Sequence, residues 1–70
     1  MIDMAATEKN IKRLMEERGM VVKDLQMLFG FGTPQSVYKW ISGKSIPCID
    51  NLVELAEIFG VKIDDIVIRG

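Results

Sequence analysis

The stretch that decides the fold is Thr33-Pro34-Gln35-Ser36-Val37-Tyr38-Lys39-Trp40-Ile41-Ser42-Gly43-Lys44. It predicts one short helix, because it carries both a start signal and a stop signal. Thr33 has a hydroxyl that can accept a free backbone N–H of the first turn, and Pro34 suits the first helical position, where no N–H is needed. Gly43 can adopt the left-handed conformation in which many helices end.

The predicted helix has two faces of opposite character. At about 100° per residue, Val37, Trp40 and Ile41 share one stripe with Pro34. The other side offers hydrogen-bonding groups, one cation and no acid, and its residues are Gln35, Ser36, Tyr38, Lys39 and Ser42. An α-helix fits the major groove of DNA, where such groups recognise base edges, so this face is a candidate for DNA recognition. The alternative for this segment alone is an ordinary amphipathic surface helix.

Length and composition limit the class of protein. A chain of 70 residues, 49% of them hydrophobic, suits one small globular domain with a limited core, and we assign residues 1–70 to it. No apolar run approaches the ~20 residues that span a membrane, and the N-terminus lacks the features of a signal peptide. The only cysteine, Cys48, has no partner for an internal disulfide, which favours a cytoplasmic location.

Helical spacing and stop signals predict an all-α fold of five helices. The first is expected from about Thr7 to Arg18, and the second from about Val22 to Phe29. The stretch quoted above is the third. The fourth begins after Pro47 and ends before Gly60. A short fifth begins near Ile63, although the segment that follows, 66–68, could instead be extended.

The same spacing predicts which residues form the core. In the fifth helix, Asp64 and Asp65 are placed to favour the positive N-terminal end. Besides the apolar stripe of the third helix, the expected core residues are Ile11, Leu14, Met15, Leu25, Leu28, Phe29, Phe31, Ile49, Leu52, Val53, Ala56 and Phe59.

Charge is the main objection to nucleic acid as a partner. The formal net charge is −1 and the pI about 5.2, whereas a DNA-binding domain is typically basic. The distribution weakens the objection, because residues 31–48 carry two cations, Lys39 and Lys44, and no acid. Residues 49–70 carry five acids against two cations. The polar helix and its following loop therefore form a weakly basic face.

Enzymatic chemistry finds little support in the sequence. The chain has no histidine, which removes the usual general base and the commonest metal ligand. One cysteine without histidine excludes the standard zinc spacings, and Gly30-Phe31-Gly32 lacks the rest of a nucleotide-binding glycine motif. Asp64 and Asp65 are adjacent, which suits a helix start better than a catalytic pair. We expect no catalytic residue, no metal and no cofactor.

Several segments, in order, resemble the Cro/lambda-repressor-like helix-turn-helix proteins, also called the XRE family. Similarity to the family's first helix lies in Asn10-Ile11-Lys12-Arg13-Leu14-Met15-Glu16-Glu17-Arg18-Gly19. Its third helix and following loop resemble Val37-Tyr38-Lys39-Trp40, Ser42-Gly43-Lys44 and Pro47. Its fourth and the start of its fifth resemble Asn51-Leu52-Val53-Glu54-Leu55-Ala56-Glu57-Ile58-Phe59-Gly60-Val61 and Ile63-Asp64-Asp65-Ile66. The resemblance covers about residues 7–67 and implies a compact five-helix DNA-binding domain of a transcriptional regulator, usually a dimer.

Three features depart from the family's pattern. Its second helix usually opens with a hydroxyl cap and a glutamine that contacts phosphate, but here Val21 and Val22 stand there, so both are missing. The turn over residues 30–33 is one residue longer than the common spacing. At the start of the fourth helix, Cys48 replaces the usual serine and is a poorer cap.

These observations together predict a cytoplasmic, sequence-specific regulator, a repressor, that binds duplex DNA as a homodimer with its third helix in the major groove. Base edges or nearby phosphates are assigned to Gln35, Ser36 and Lys39; the sugar-phosphate backbone to Thr33, Ser42 and Lys44; and either to Tyr38. We expect dimerisation through the fifth helix and the C-terminal tail, whose apolar residues are Ile63, Ile66, Val67 and Ile68.

One alternative stays open on the same fold. The chain would then be a protein-interaction module, or an antitoxin-like partner that masks another protein, with weak or lost DNA binding. The acidic balance and the valines Val21 and Val22 favour this alternative. We expect no membrane partner under either interpretation.

Overall fold

Four α-helices and one turn of 3-10 helix make up the chain, and the computed structural model describes all 70 residues. The elements are α1 (Met4–Glu17), α2 (Val22–Phe29), α3 (Gln35–Ile41), α4 (Ile49–Phe59) and the 3-10 turn Ile63–Asp65. The predicted all-α class is confirmed. The prediction of a fifth α-helix is wrong, because residues Ile63–Asp65 make only a single 3-10 turn before the chain becomes irregular. None of the helices combines the length and apolarity needed to cross a membrane.

Helix α1 begins three residues earlier than the predicted Thr7. The reason is a capping residue that lies before the predicted start: the Asp3 carboxylate accepts a hydrogen bond from the Ala6 backbone N–H at 2.9 Å. Thr7 is instead buried within the helix, where its hydroxyl oxygen accepts from the Ile68 backbone N–H at 3.0 Å. After α1, Gly19 has a φ of +63°, in agreement with the predicted stop.

Helix α3 begins one residue later than predicted, so Thr33 is not its cap. Pro34 occupies the N-cap position, its carbonyl accepts from the Tyr38 N–H at 3.1 Å, and no side chain caps the helix. Because Gln35 is the first helical residue, the Thr33 hydroxyl lies one position too early to reach the first turn. The predicted exit at Gly43 is confirmed by its φ of +75°.

Ten buried hydrophobic side chains from all four helices and the tail form the core: Ile11, Leu14, Met15, Leu25, Val37, Trp40, Leu52, Leu55, Phe59 and Ile66. Three predicted core residues are wrong, since Leu28, Ile49 and Val53 are 58%, 69% and 46% exposed. On α4 the buried stripe is centred on Leu52, Leu55 and Phe59, which leaves Ile49 and Val53 at its edge. Helix α2 likewise turns its Phe29 side to the core rather than its Leu28 side.

Three aromatic rings join α2, α3 and the turn between them. Trp40 meets Phe29 edge-on at a centroid distance of 5.4 Å and Phe31 at 5.9 Å, while the two phenylalanine rings stack at 5.0 Å. The turn is also held by Gln26, whose backbone carbonyl accepts from the Phe31 N–H at 3.0 Å and whose side-chain amide donates to the Phe31 carbonyl at 3.3 Å. The longer turn predicted from the sequence is thus packed and hydrogen-bonded.

The two ends of the chain meet in a single antiparallel bridge between Ile2 and Arg69. The Asp3 N–H donates to the Ile68 carbonyl, and the Gly70 N–H donates to the Met1 carbonyl, both at 2.8 Å. About two turns further along the chain, in α1, the Asn10 side-chain amide donates to the backbone carbonyls of Asp65 and Ile66. The tail is thereby tied to α1.

Burial of Ile66 changes the predicted dimer surface. This side chain is 0% exposed and belongs to the chain's own core, so it cannot also form a contact with a second copy. The neighbouring Ile63, Val67 and Ile68 are only half-buried. Any interface at the tail therefore has to use these residues without Ile66.

Replacing Trp40 by alanine is expected to unfold most of the protein. The indole is buried at the junction of α2 and α3, and truncation of such an aromatic costs about 3–5 kcal/mol, a large part of a small domain's stability. Thermal melting followed by circular dichroism should show a lost or strongly lowered transition. The matched control is the exposed Leu28, whose change to alanine should alter stability by no more than about 0.5 kcal/mol. A stable Trp40→Ala protein defective only in ligand binding would instead make the indole a contact residue.

Candidate nucleic-acid interface

Helix α3 turns its apolar stripe inward and its polar face outward, as the sequence predicts. Val37 and Trp40 are buried, whereas Tyr38 between them is 54% exposed. Every residue assigned to DNA is on the surface: Thr33, Gln35, Ser36, Tyr38, Lys39, Ser42 and Lys44. The structure thus leaves all seven side chains accessible to a ligand.

Five of these seven residues line one open groove, which we name the α3 groove. Its lining consists of Lys12, Gln35, Tyr38, Lys39, Ile41, Ser42 and Lys44. Thr33 and Ser36 lie outside it, near the start of the helix. Lys12 comes from α1 and is not among the predicted site residues, because no local pattern in the sequence shows that α1 packs against α3. The groove therefore collects three lysines.

The loop after α3 is fixed through one carbonyl. The Lys39 carbonyl accepts from the backbone N–H groups of Lys44 and Ser45 at 3.1 and 3.3 Å, and from the Ser42 hydroxyl at 3.3 Å. The left-handed Gly43 makes this reversal possible. As a result Lys44 begins from a defined backbone position, while the Ser42 hydroxyl is partly engaged within the protein.

None of the lysines in the α3 groove forms an ion pair. The two salt bridges of the protein join Arg13 to Glu17 at 2.7 Å and Arg18 to the same carboxylate group at 3.5 Å, both within α1 and its C-terminal cap. The ammonium groups of Lys12, Lys39 and Lys44 are consequently available to an external anion. Such free cations next to exposed hydrogen-bonding groups suit a polyanion such as the DNA backbone.

One acid approaches this region from another helix. A Cβ atom built on Gly43 would lie 3.3 Å from a carboxylate oxygen of Glu8, a residue of α1. Glu8 is half-buried and forms neither a salt bridge nor a side-chain hydrogen bond. The stretch 31–48 is thus free of acids in sequence but not in space, a difference that only the packing of α1 reveals.

Helix α2 lacks the hydroxyl cap and the glutamine that open the second helix in the resembled family. Val21 is the N-cap without a side-chain cap, and its N–H donates to the Asp24 carboxylate at 2.9 Å. Its exposed surface includes three apolar side chains: Val21, Met27 and Leu28. The absence of the cap predicted from the valines is confirmed. Nor does Cys48 cap α4, where it is exposed at the N-cap position.

No group of three or more histidine, cysteine or acidic side chains is arranged to hold a metal ion. The polar groups that the structure does bring together are amide, hydroxyl, phenol and ammonium groups on one surface. They can donate hydrogen bonds and neutralise negative charge.

Comparison with known proteins gives one match. The model of the helix-turn-helix family matches residues 11–66, which include all of α2, α3, α4 and the 3-10 turn. No curated protein and no solved structure matches the chain. Members of the matched family are DNA-binding regulators and typically not enzymes. Because the match covers most of the chain, this protein belongs to the Cro/lambda-repressor-like (XRE) family of helix-turn-helix DNA-binding regulators.

Proposed function

We propose that the protein is a sequence-specific cytoplasmic repressor that binds duplex DNA as a homodimer, with α3 in the major groove. The observation that carries this proposal is the polar face of α3, where every assigned side chain is exposed and no lysine is neutralised by an acid. The overall charge of −1 does not oppose it, since association depends on the local field at the contact.

Different positions on α3 suit different parts of the DNA. Gln35 is the first helical residue, and the N-terminal part of a recognition helix is the part that meets base edges. Ser36 and Lys39 are assigned to base edges or nearby phosphates. Among these contacts, those to base edges give sequence preference.

The remaining polar residues suit the sugar-phosphate backbone. Thr33 precedes the helix, while Ser42 and Lys44 follow it, so they flank the part that would enter the groove. Tyr38 is exposed beside Lys39 and can contact either a base or the backbone. Backbone contacts position the protein on the duplex without selecting a sequence.

A surface near the chain ends suits contact with a second copy of the protein, and we name it the terminal groove. Its apolar lining comes from α4 and the two ends of the chain: Ile2, Ile49, Leu52, Ile63, Val67 and Ile68. Asp64 and Arg69 also line it, and they carry opposite charges. A two-fold contact places the same patch on both copies, so Asp64 of one copy could face Arg69 of the other. We assign the homodimer contact to this groove.

One observation supports a second candidate function. The exposed apolar side chains of α2, Val21, Met27 and Leu28, occupy a helix that in the resembled family supplies polar contacts to DNA. Apolar surface of this kind suits a protein partner better than a phosphate backbone. The second candidate is therefore a protein-interaction module with weak DNA binding. The salt dependence of duplex binding separates the two, because only phosphate contacts release counterions.

Loss of Lys44 is expected to weaken binding to all duplex sequences alike. Lys44→Ala should lower the slope of log affinity against log salt by about one unit, because one phosphate contact is lost. Fluorescence anisotropy of labelled duplexes over a salt series measures this slope. Lys62→Ala, an exposed lysine outside the α3 groove, is the matched control and should leave it unchanged. An unaltered slope in Lys44→Ala would contradict the backbone assignment.

Loss of Gln35 is expected to change sequence preference instead. A glutamine can bond two edge atoms of adenine, which gives roughly 1–3 kcal/mol of discrimination against other bases. Selection from randomised duplexes should yield an inverted repeat whose half-sites lie about 34 Å, or 10 base pairs, apart. With Gln35→Ala, preference should relax at one position of each half-site. The same selected motif from both proteins would remove Gln35 from base recognition.

A charge in the terminal groove is expected to separate the dimer. Ile49→Asp places a carboxylate on an exposed residue at the start of α4, where an acid is compatible with the helix dipole and folding should be kept. Sedimentation velocity at micromolar concentration should change from dimer to monomer, with weaker binding to the inverted repeat. Met27→Asp, equally exposed on α2, should remain dimeric. A wild-type monomer that binds one half-site would refute the dimer, and a dimer retained by Ile49→Asp would move the interface elsewhere.

A further inference from the structure

We infer that α1 takes part in DNA binding and that its residue Lys12 holds a backbone phosphate beside the C-terminal end of α3. This inference rests on the proposed function and extends it to a helix outside the helix-turn-helix pair. It starts from the position of Lys12, which lines the α3 groove together with Tyr38, Lys39 and Lys44.

The packing of α1 fixes this lysine at the groove. Ile11, the preceding residue, is fully buried in the core, and α1 packs against α3. Lys12 itself is exposed, so its side chain starts from an anchored backbone and ends in solvent at the groove. Less ordering of the backbone is then required when the ammonium group binds an anion.

The charge of Lys12 is not used inside the protein. Glu8 and Glu16 stand one turn before and after it, at the spacing that often gives ion pairs on a helix, yet neither pairs with it. By contrast, α1's Arg13 is paired with Glu17. A lysine left free beside two other free lysines is available to an anion of several charges.

The ligand class is a phosphodiester of the duplex. Lys44 follows the C-terminal end of α3, and Lys12 lines the same groove from the neighbouring helix. When α3 lies in the major groove, that end is near the phosphates that border the groove. Lys12 would then add a phosphate contact to those made by the loop after α3.

Glu8 provides an independent check of the same geometry. Its unpaired carboxylate lies against Gly43, immediately before Lys44. If phosphates approach this end of α3, the negative charge of Glu8 opposes them, and its removal should strengthen binding. A gain of affinity cannot result from damaged folding, which makes this variant a useful partner to the loss expected at Lys12.

The test compares Lys12→Ala, Lys9→Ala and Glu8→Gln on the selected duplex over a salt series. Lys9 is an exposed lysine of the same helix that does not line the α3 groove. Lys12→Ala should lower the salt slope by about one unit, and Lys9→Ala should not change it. Glu8→Gln should bind about two- to five-fold more tightly at low salt.

Phosphate ethylation interference locates the contact. One interfering phosphate per half-site should disappear with Lys12→Ala and persist with Lys9→Ala. Equal salt slopes for these two variants, or no gain with Glu8→Gln, would overturn the inference while leaving the proposed function intact. A wild-type protein without salt-dependent duplex binding would overturn the proposed function itself.

Discussion

Contact of Trp40 with Phe29 and Phe31 fixes how α3 lies against α2, and the rest of the surface depends on it. The three rings come from the end of one helix, the turn and the next helix, so they hold the turn and both helices together. Such edge and stacked arrangements add to the burial of apolar area. Because Trp40 is held inward, its neighbours Tyr38 and Lys39 are held outward. The orientation of the candidate interface is thus a consequence of core packing.

Electrostatics explain how an acidic protein can belong to a DNA-binding family. Charges far from a contact are screened at physiological salt over about 8 Å, so the local arrangement matters more than the sum. The α3 groove is lined by Lys12, Lys39 and Lys44, and none of these lysines forms an ion pair. By contrast, Arg13 and Arg18 both form salt bridges with Glu17. The carboxylate of Glu8 lies against the loop at Gly43. A weak field of this kind favours modest non-specific binding and leaves selectivity to base contacts.

Local signals in the sequence predict most of the helices but not how they meet. Glycine stops and apolar spacing predict the bounds of α2, α3 and α4 to within one or two residues, because these signals act over a single turn. The prediction of a fifth α-helix is wrong, because the short segment Ile63–Asp65 makes only one 3-10 turn before the chain pairs with Ile2 near the N-terminus. The prediction that Ile49 is buried is also wrong, because spacing alone does not give the width of the buried stripe. Lys12 could not be assigned to the groove from sequence, as its place there depends on contact between distant helices.

The bridge between Ile2 and Arg69 has a consequence for the order in which the protein folds. It closes a loop that contains nearly the entire chain, and the entropy cost of closing a flexible loop rises with its length. The aromatic contacts between α2 and α3 span only a short segment and carry a much smaller cost. We therefore expect the α2–α3 unit to form early and the two chain ends to join late. The first turn of α1, capped by Asp3 within the bridge, would then be completed last and open first.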